Sequence, residues 1–169
     1  MIRQATTGDV KAIALLIREK AEALRDRGST QWRKYLQLDL EQVVRDDMTT
    51  GTVHVFEKEG RIVGAGSLLP SLDWDAALWD DSDGRYIHRL VVSDGAKGEQ
   101  VGSKMMLHLI EMAGPEKLRL DCVESNEFLN GYYPGFGFDR VGEKDGFSLF
   151  ELKTKEHALT IEGGRETCN

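Results

Sequence analysis

Residues 85 to 123 constrain the fold more than any other stretch of the chain. RYIHRLVV, from Arg85 to Val92, has the length and β-branching of a buried strand. The run SDGAKGEQVGSKMM follows, with Gly95, Gly98 and Gly102 interleaved with Lys97 and Lys104. Val101 to Ala113 then reads as a helix with Val101, Met105, Leu109 and Met112 on one face, stopped by Gly114-Pro115. KLRLDCV alternates Leu118, Leu120 and Cys122 against Arg119 and Asp121, as a strand does. The centre of the chain is thus a strand–helix–strand unit.

Antiparallel signals flank that unit. MIRQAT reads as a short first strand, and Thr6-x-x-Asp9 as a capping box. Val10, Ile13, Ile17, Ala21 and Leu24 follow at helical spacing up to Gly28. A second helix is predicted from Leu38 to Asp47. TVHVFEKEGRIVGAGSLL predicts a hairpin turning at Lys58-Glu59-Gly60, and FDRVGEKDGFSLFELK another at Lys144-Asp145-Gly146. Ser71 to Gly84, acidic throughout, is expected to be an irregular surface loop. A short helix from Asn126 to Tyr133 is expected to break at Pro134-Gly135. Together these predict a mixed α/β (α+β) fold: a mostly antiparallel sheet of about seven strands flanked by about four helices. Residues 1–155 form one domain in this reading, and 156–169 a tail.

The length of 169 residues suits one domain with a full core. A formal net charge of −7 argues against a nucleic-acid partner and favours a cationic substrate. Cys122 and Cys168 make neither a disulfide framework nor a metal-ligand spacing. With no leader-like segment and no apolar run of spanning length, the expectation is a cytoplasmic protein away from membranes.

A chain leaving a strand and entering a helix presents backbone N–H groups that have no intrahelical partner. With the helix dipole they form an anion site. Gly98 and Gly102 would let an anion approach closely, and Lys97 and Lys104 add charge. The same glycines could serve only a tight turn. A phosphate loop of the Gly-x-x-x-x-Gly-Lys-Ser/Thr type is absent. Gly64-Ala65-Gly66 and Gly135-Phe136-Gly137 both lack the third glycine of a dinucleotide fingerprint.

Leu90-Val91-Val92 followed by Lys97-Gly98-Glu99-Gln100-Val101-Gly102 resembles the signature of the GNAT N-acetyltransferase superfamily, Arg/Gln-x-x-Gly-x-Gly/Ala after a strand. LRLDCVESNEFLNGYYPGFGF resembles that family's strand, Asn and Tyr-x-x-x-Gly-Phe block. The opening strand and helix and the first hairpin resemble it too, so the likeness spans about residues 1 to 153. It departs from the pattern at Lys97, which stands for Arg or Gln, and at Gln100, which stands for glycine. The resemblance implies a coenzyme A site. Amides from Lys97, Gly98, Gln100, Val101, Gly102 and Ser103 would hold the pyrophosphate, and the backbone of Leu90, Val91 and Val92 the pantetheine arm. Asn126 would bond the pantetheine or order its surroundings; capping the following helix is compatible with that.

Acetyl transfer to an amine needs a deprotonated amine, donors for the thioester oxygen and a proton for the departing thiolate. A phenol near ~10 can protonate a thiolate whose acid lies near ~8.5. The resemblance gives that role to Tyr133. Packing on Phe136 or Phe138 is the structural alternative, and Tyr132 is the rival. By strand alternation His88 shares a face with Leu90 and Val92, so it is the candidate proton relay or a plain strand histidine. Glu124 or bulk water is the substitute base. The main chain of Val92 is the donor to the thioester oxygen. Cys122 is expected to be a buried strand residue outside the chemistry. Trp32 either lines the acceptor pocket or joins the core.

These readings imply an N-acetyltransferase using acetyl-CoA as co-substrate, without a metal. It would act on a primary amine of a small molecule or a protein, by direct attack in a ternary complex, possibly as a homodimer as is common in the family. The alternatives are a non-catalytic acyl-CoA sensor with the same fold and an unrelated mixed α/β binding domain.

Overall fold

The computed structural model describes residues 1–153. The expected tail and Cys168 lie outside them. The chain runs β1 (Ile2–Gln4), α1 (Val10–Asp26), α2 (Leu40–Thr50), β2 (Thr52–Lys58), β3 (Arg61–Leu69), α3 (Asp73–Leu78), β4 (Arg85–Val92), α4 (Val101–Ala113), β5 (Leu118–Val123), α5 (Glu127–Tyr132), β6 (Asp139–Lys144) and β7 (Phe147–Leu152). The seven strands form one sheet in the order β1-β2-β3-β4-β5-β7-β6. The β1–β2, β2–β3, β5–β7 and β6–β7 ladders are antiparallel, and β4 pairs in parallel with β5. The described residues thus match the expected strands but carry five α-helices rather than four. No helix among them is long and apolar enough to cross a membrane.

The chain divides into two compact units. Among the described residues, one is Met1–Pro70 with Ile87–Leu109, and the other is Ser71–Tyr86 with residues 110–153. In the first, α1 buries Val10, Ile13, Ala14, Leu16, Ile17 and Ala21. This stripe packs on Leu40 and Val44 of α2 and on Val53, Val55, Ala65 and Val91 of the sheet. Each large apolar side chain removed from water here contributes about 1.5–3 kcal/mol. The Asp9 carboxylate accepts from the Thr6 N–H at 2.8 Å, so the reciprocal half of the expected capping box is present. Helix α2 begins and ends later than its sequence pattern predicts. Asp39 caps it by accepting from the Gln42 N–H at 3.2 Å, and the Gly51 N–H closes the last turn on the Asp47 carbonyl at 2.9 Å. Both hairpins turn through two residues in left-handed backbone, Glu59-Gly60 and Asp145-Gly146. That twist matches the right-handed twist of the flanking strands.

The second unit corrects the largest misreading. Ser71 to Gly84 is not an irregular surface loop, because Asp73–Leu78 is helical and Asp75, Leu78 and Trp79 are buried. Leu78 and Trp79 pack with Tyr86 and Leu149, and Trp74 sets its edge on Phe147 at 4.9 Å. The five aspartates of this segment mask an apolar stripe that only a helix would reveal. Arg119, placed on the polar face of its strand by alternation, is buried as well. Its guanidinium sits 4.4 Å from the Trp79 ring. It donates to Asp81 Oδ1 at 2.6 Å, Glu151 Oε2 at 2.9 Å and Tyr86 Oη at 2.9 Å.

Met112 of α4 is 46 % exposed, and the buried stripe runs through Val101, Met105, Met106, Leu109 and Ala113 instead. Stepping four residues from Leu109 reaches Ala113, and the preceding residue turns outward. Pro134 does not break the chain from its helix. It lies inside a 3₁₀ turn, Tyr133–Phe136, that continues α5 and ends at left-handed Gly137. Proline is tolerated there because the first turn of a helix needs no N–H from it.

Candidate active site

The segment between β4 and α4 is a wound loop. The Ser93 N–H bonds the Val63 carbonyl at 2.8 Å, keeping the end of β4 on β3. A 3₁₀ turn at Asp94–Ala96 follows, and Gly98 and Gln100 then both take left-handed backbone, with φ 84 and φ 60. The Lys104 N–H makes the first helical bond, to the Gln100 carbonyl at 3.0 Å. The amides of Val101, Gly102 and Ser103 stand ahead of it, at the positive end of a helix of 13 residues.

Gln100 therefore adopts the conformation for which a glycine would serve, which costs a side-chain-bearing residue about 1–2 kcal/mol. The loop is held from outside by Lys58, whose Nζ lies 2.7 Å from Glu99 Oε2. Lys97 pairs with Asp94 at 3.2 Å and holds that carboxyl below its ordinary range. Burial pushes the Lys20 ammonium down, against the opposing pull of Asp94.

The glycines of β3 that failed as a dinucleotide fingerprint make room for α4. A Cβ on Gly64 would lie 2.9 Å from Val101 Cγ1, and one on Gly66 would lie 3.0 Å from Leu109 Cδ1. Leu90 and Val92 pack with Val101 and Met105, whereas Val91 joins the core beneath α1 and α2. His88 is half-buried in β4. The backbone at Arg89 is left-handed, with φ 54, so strict alternation does not carry from His88 to Leu90. Trp32, itself left-handed at φ 64, is partly buried and sets its edge on Tyr35 at 5.2 Å.

Asn126, Tyr133, Cys122 and Glu124 belong to the second unit. Asn126 caps α5, its Oδ1 accepting from the Leu129 N–H at 3.0 Å. The Tyr133 ring is 8 % exposed and packs on Phe150 at 5.4 Å and Phe138 at 6.3 Å. Burial pushes its phenol well above the ordinary range, and Cys122, Asp121 and Tyr132 add to the shift. Tyr133 therefore keeps its proton at any neutral pH. Tyr132, the rival, is only partly buried and stacks on exposed Phe128 at 5.4 Å. Cys122 is fully buried and its thiol is pushed up to about 12, chiefly by desolvation, which leaves almost no nucleophilic thiolate near neutrality. Glu124 is exposed, and the adjoining Glu143 carboxyl raises its pKa.

Sequence reasoning missed three side chains. Asn130 Nδ2 donates to the carbonyls of Asn126, Glu124 and Val123 at 2.8, 3.2 and 3.3 Å, tying the β5–α5 turn together. Its spacing of four from Asn126 was the available signal. Arg89 and Asp47 form a buried pair across 42 residues of chain, for which no local signal exists. Among the described residues no group of three or more His, Cys, Asp or Glu side chains could hold a metal ion.

Comparison with known proteins identifies the family and the fold. The Acetyltransferase (GNAT) family matches residues 17–138. YesJ of Bacillus subtilis (strain 168), an uncharacterized N-acetyltransferase, is 34% identical over 155 residues, covering 85% of this chain and 84% of its own. A GNAT-family acetyltransferase from Listeria monocytogenes 4b F2365 aligns with a TM-score of 0.76 at 35% identity, over 89% of this chain and 92% of that one. The structure of yncA from Salmonella typhimurium, solved with its cofactor acetyl-CoA, shares the fold with a TM-score of 0.64 at 18% identity, over 90% and 92% of the two chains. The chain is an acetyltransferase and belongs to the GNAT family.

Proposed function

We propose that this enzyme moves an acetyl group from acetyl-CoA directly to a primary amine, on a small molecule or an exposed protein group, within a ternary complex. The observation that carries the reading is the loop from Lys97 to Ser103. Its left-handed turns at Gly98 and Gln100 deliver the chain into α4 in the register where the family's pyrophosphate signature falls. The yncA structure, which has the same fold, contains acetyl-CoA. In this reading Lys97, Gly98, Gln100, Val101, Gly102 and Ser103 bind the diphosphate. Leu90, Val91 and Val92 pair with the pantetheine, and Asn126 orders its surroundings.

The amine nitrogen attacks the thioester carbon, the carbonyl oxygen takes negative charge and the Val92 N–H donates to it. As the C–S bond breaks, the sulfur takes the Tyr133 proton. The amine's spare proton leaves through water to His88, with Glu124 as substitute. Burial keeps the Tyr133 phenol protonated at neutral pH, so its proton is in place as the thiolate leaves, and the tyrosinate, which the same burial disfavours, recovers a proton from water.

The test is calorimetric titration with acetyl-CoA, paired with thiol release across a panel of amines. Saturable binding and turnover on at least one amine are expected. Binding without turnover on any acceptor would favour a sensor, and no binding would end the proposal. Tyr133→Phe should lower turnover by roughly ten- to thousandfold with acetyl-CoA affinity nearly intact. Unchanged turnover removes Tyr133 from the mechanism.

A further inference from the structure

Arg89 is a left-handed residue in the middle of a strand, and it stands immediately before the backbone assigned to the pantetheine. Such a conformation persists only where the surroundings over-determine it. Here they do. Arg89 Nε donates to Asp47 Oδ2 at 2.7 Å, and Nη2 donates to Asp47 Oδ1 as the second arm of a fork. Nη1 reaches Tyr35 Oη at 3.4 Å, and Asp47 Oδ2 also accepts from Ser67 Oγ at 2.7 Å. The Arg89 and Asp47 side chains are 9 % and 6 % exposed. One guanidinium thus joins β4 to the last turn of α2, to β3 through Ser67, and to the 3₁₀ turn that carries Tyr35.

Stability alone does not account for this arrangement. Desolvating two charges costs about what their attraction returns, and apolar residues of equal volume often serve as well. What a bidentate fork adds is direction, because a planar guanidinium meets a carboxylate in one geometry. A left-handed residue also rotates the peptide planes after it out of the register of a regular strand. We propose that the Asp47–Arg89 clamp holds the kink in β4 and so aims the N–H and C=O groups of Leu90 to Val92 at the pantetheine arm. The role rests on the coenzyme reading above. Asp47 and Arg89 are positioning residues, and they act through the backbone they hold.

The test uses the full chain as wild type, Arg89→Lys, Asp47→Asn and the double variant Asp47→Leu with Arg89→Met, which replaces the pair by apolar volume. Each is titrated with acetyl-CoA and with adenosine 3′-phosphate 5′-diphosphate, which has the phosphates but no pantetheine. Loss of the clamp should weaken acetyl-CoA binding about tenfold or more, and kcat at saturation should fall as well, because the same backbone carries the Val92 N–H that donates to the thioester oxygen. Affinity for the nucleotide fragment should stay within about twofold, since the loop after Lys97 is untouched. Amides of Leu90 to Val92 should lose ligand-induced exchange protection while those of Val101 to Ser103 keep it. Equal losses for both ligands, or an unaltered acetyl-CoA affinity in the folded double variant, overturn the clamp alone. A wild-type chain that binds neither ligand overturns the coenzyme reading, and this role falls with it.

Discussion

Gln100 occupies a backbone position that disfavours any side chain, with φ 60 at the entrance to α4. Gln100→Gly should stabilise the protein by about 0.5–1 kcal/mol, the relief of left-handed strain less the greater entropy glycine loses on folding. A raised melting temperature and an acetyl-CoA affinity tighter by about two- to fivefold are the expected readings; a lower melting temperature would mean the side chain makes contacts worth more than the strain. Tyr133 and Cys122 are expected to lower stability at alkaline pH. Both are raised in the folded state, so the unfolded chain loses these protons first, and stability present below the unfolded pKa values falls as pH rises. The decline should begin near the ordinary thiol value of about 8.5 with Cys122 and steepen past about 10 with Tyr133, by about 1.4 kcal/mol per pH unit for the tyrosine. Denaturant melts between these pH values should flatten in Cys122→Ala first and in Tyr133→Phe at higher pH. Asn126 was legible at this scale, because a cap is written three residues before the amide it serves. Arg89 was not, because its partner is 42 residues away.

Among the elements, β3 and α4 depend on each other through Gly64. Adding a methyl there meets Val101 Cγ1 at 2.9 Å, closer than packed carbons allow. Gly64→Ala should cost about 1–3 kcal/mol, and Val101→Ala in the same molecule should recover part of the loss. Chemical denaturation of the two single variants and the double variant checks this; strict additivity would mean the two residues do not meet. The hairpins could be read from sequence because a Glu-Gly or Asp-Gly turn between β-branched runs is a local signal. The helix at Asp73–Leu78 could not, because it is only six residues long within a segment carrying five aspartates, and the surfaces that bury Leu78 and Trp79 come from Tyr86 and Leu149. Met112 was misassigned for a related reason. Three- and four-residue steps both fit a helix, and the neighbour that selects Ala113 is not written in α4 itself.

For the whole molecule, the net charge of −7 predicts that cationic acceptors are attracted more than neutral ones. Their KM should rise several-fold as salt goes from about 20 mM to about 300 mM, as the Debye length shrinks to a few ångströms, while neutral amines change little. Initial-rate assays across both classes at the two salt concentrations measure the effect. A salt response equal for charged and neutral acceptors would show that long-range attraction has no part in acceptor capture.

Local rules operate within a few residues, and at that range the sequence alone determined the succession of strands along the chain, both hairpins, the glycine loop before α4 and the capping role of Asn126. It also carried the family, because the Lys97–Gly102 loop and the Tyr133–Phe138 block are contiguous motifs. Tertiary structure alone decided the burial of Arg119, the helix at Asp73–Leu78, the left-handed backbone at Arg89 and its clamp to Asp47. Each of these follows from a buried charge or apolar stripe finding its partner across the fold, and the free energy of such pairing belongs to groups that are distant in the chain.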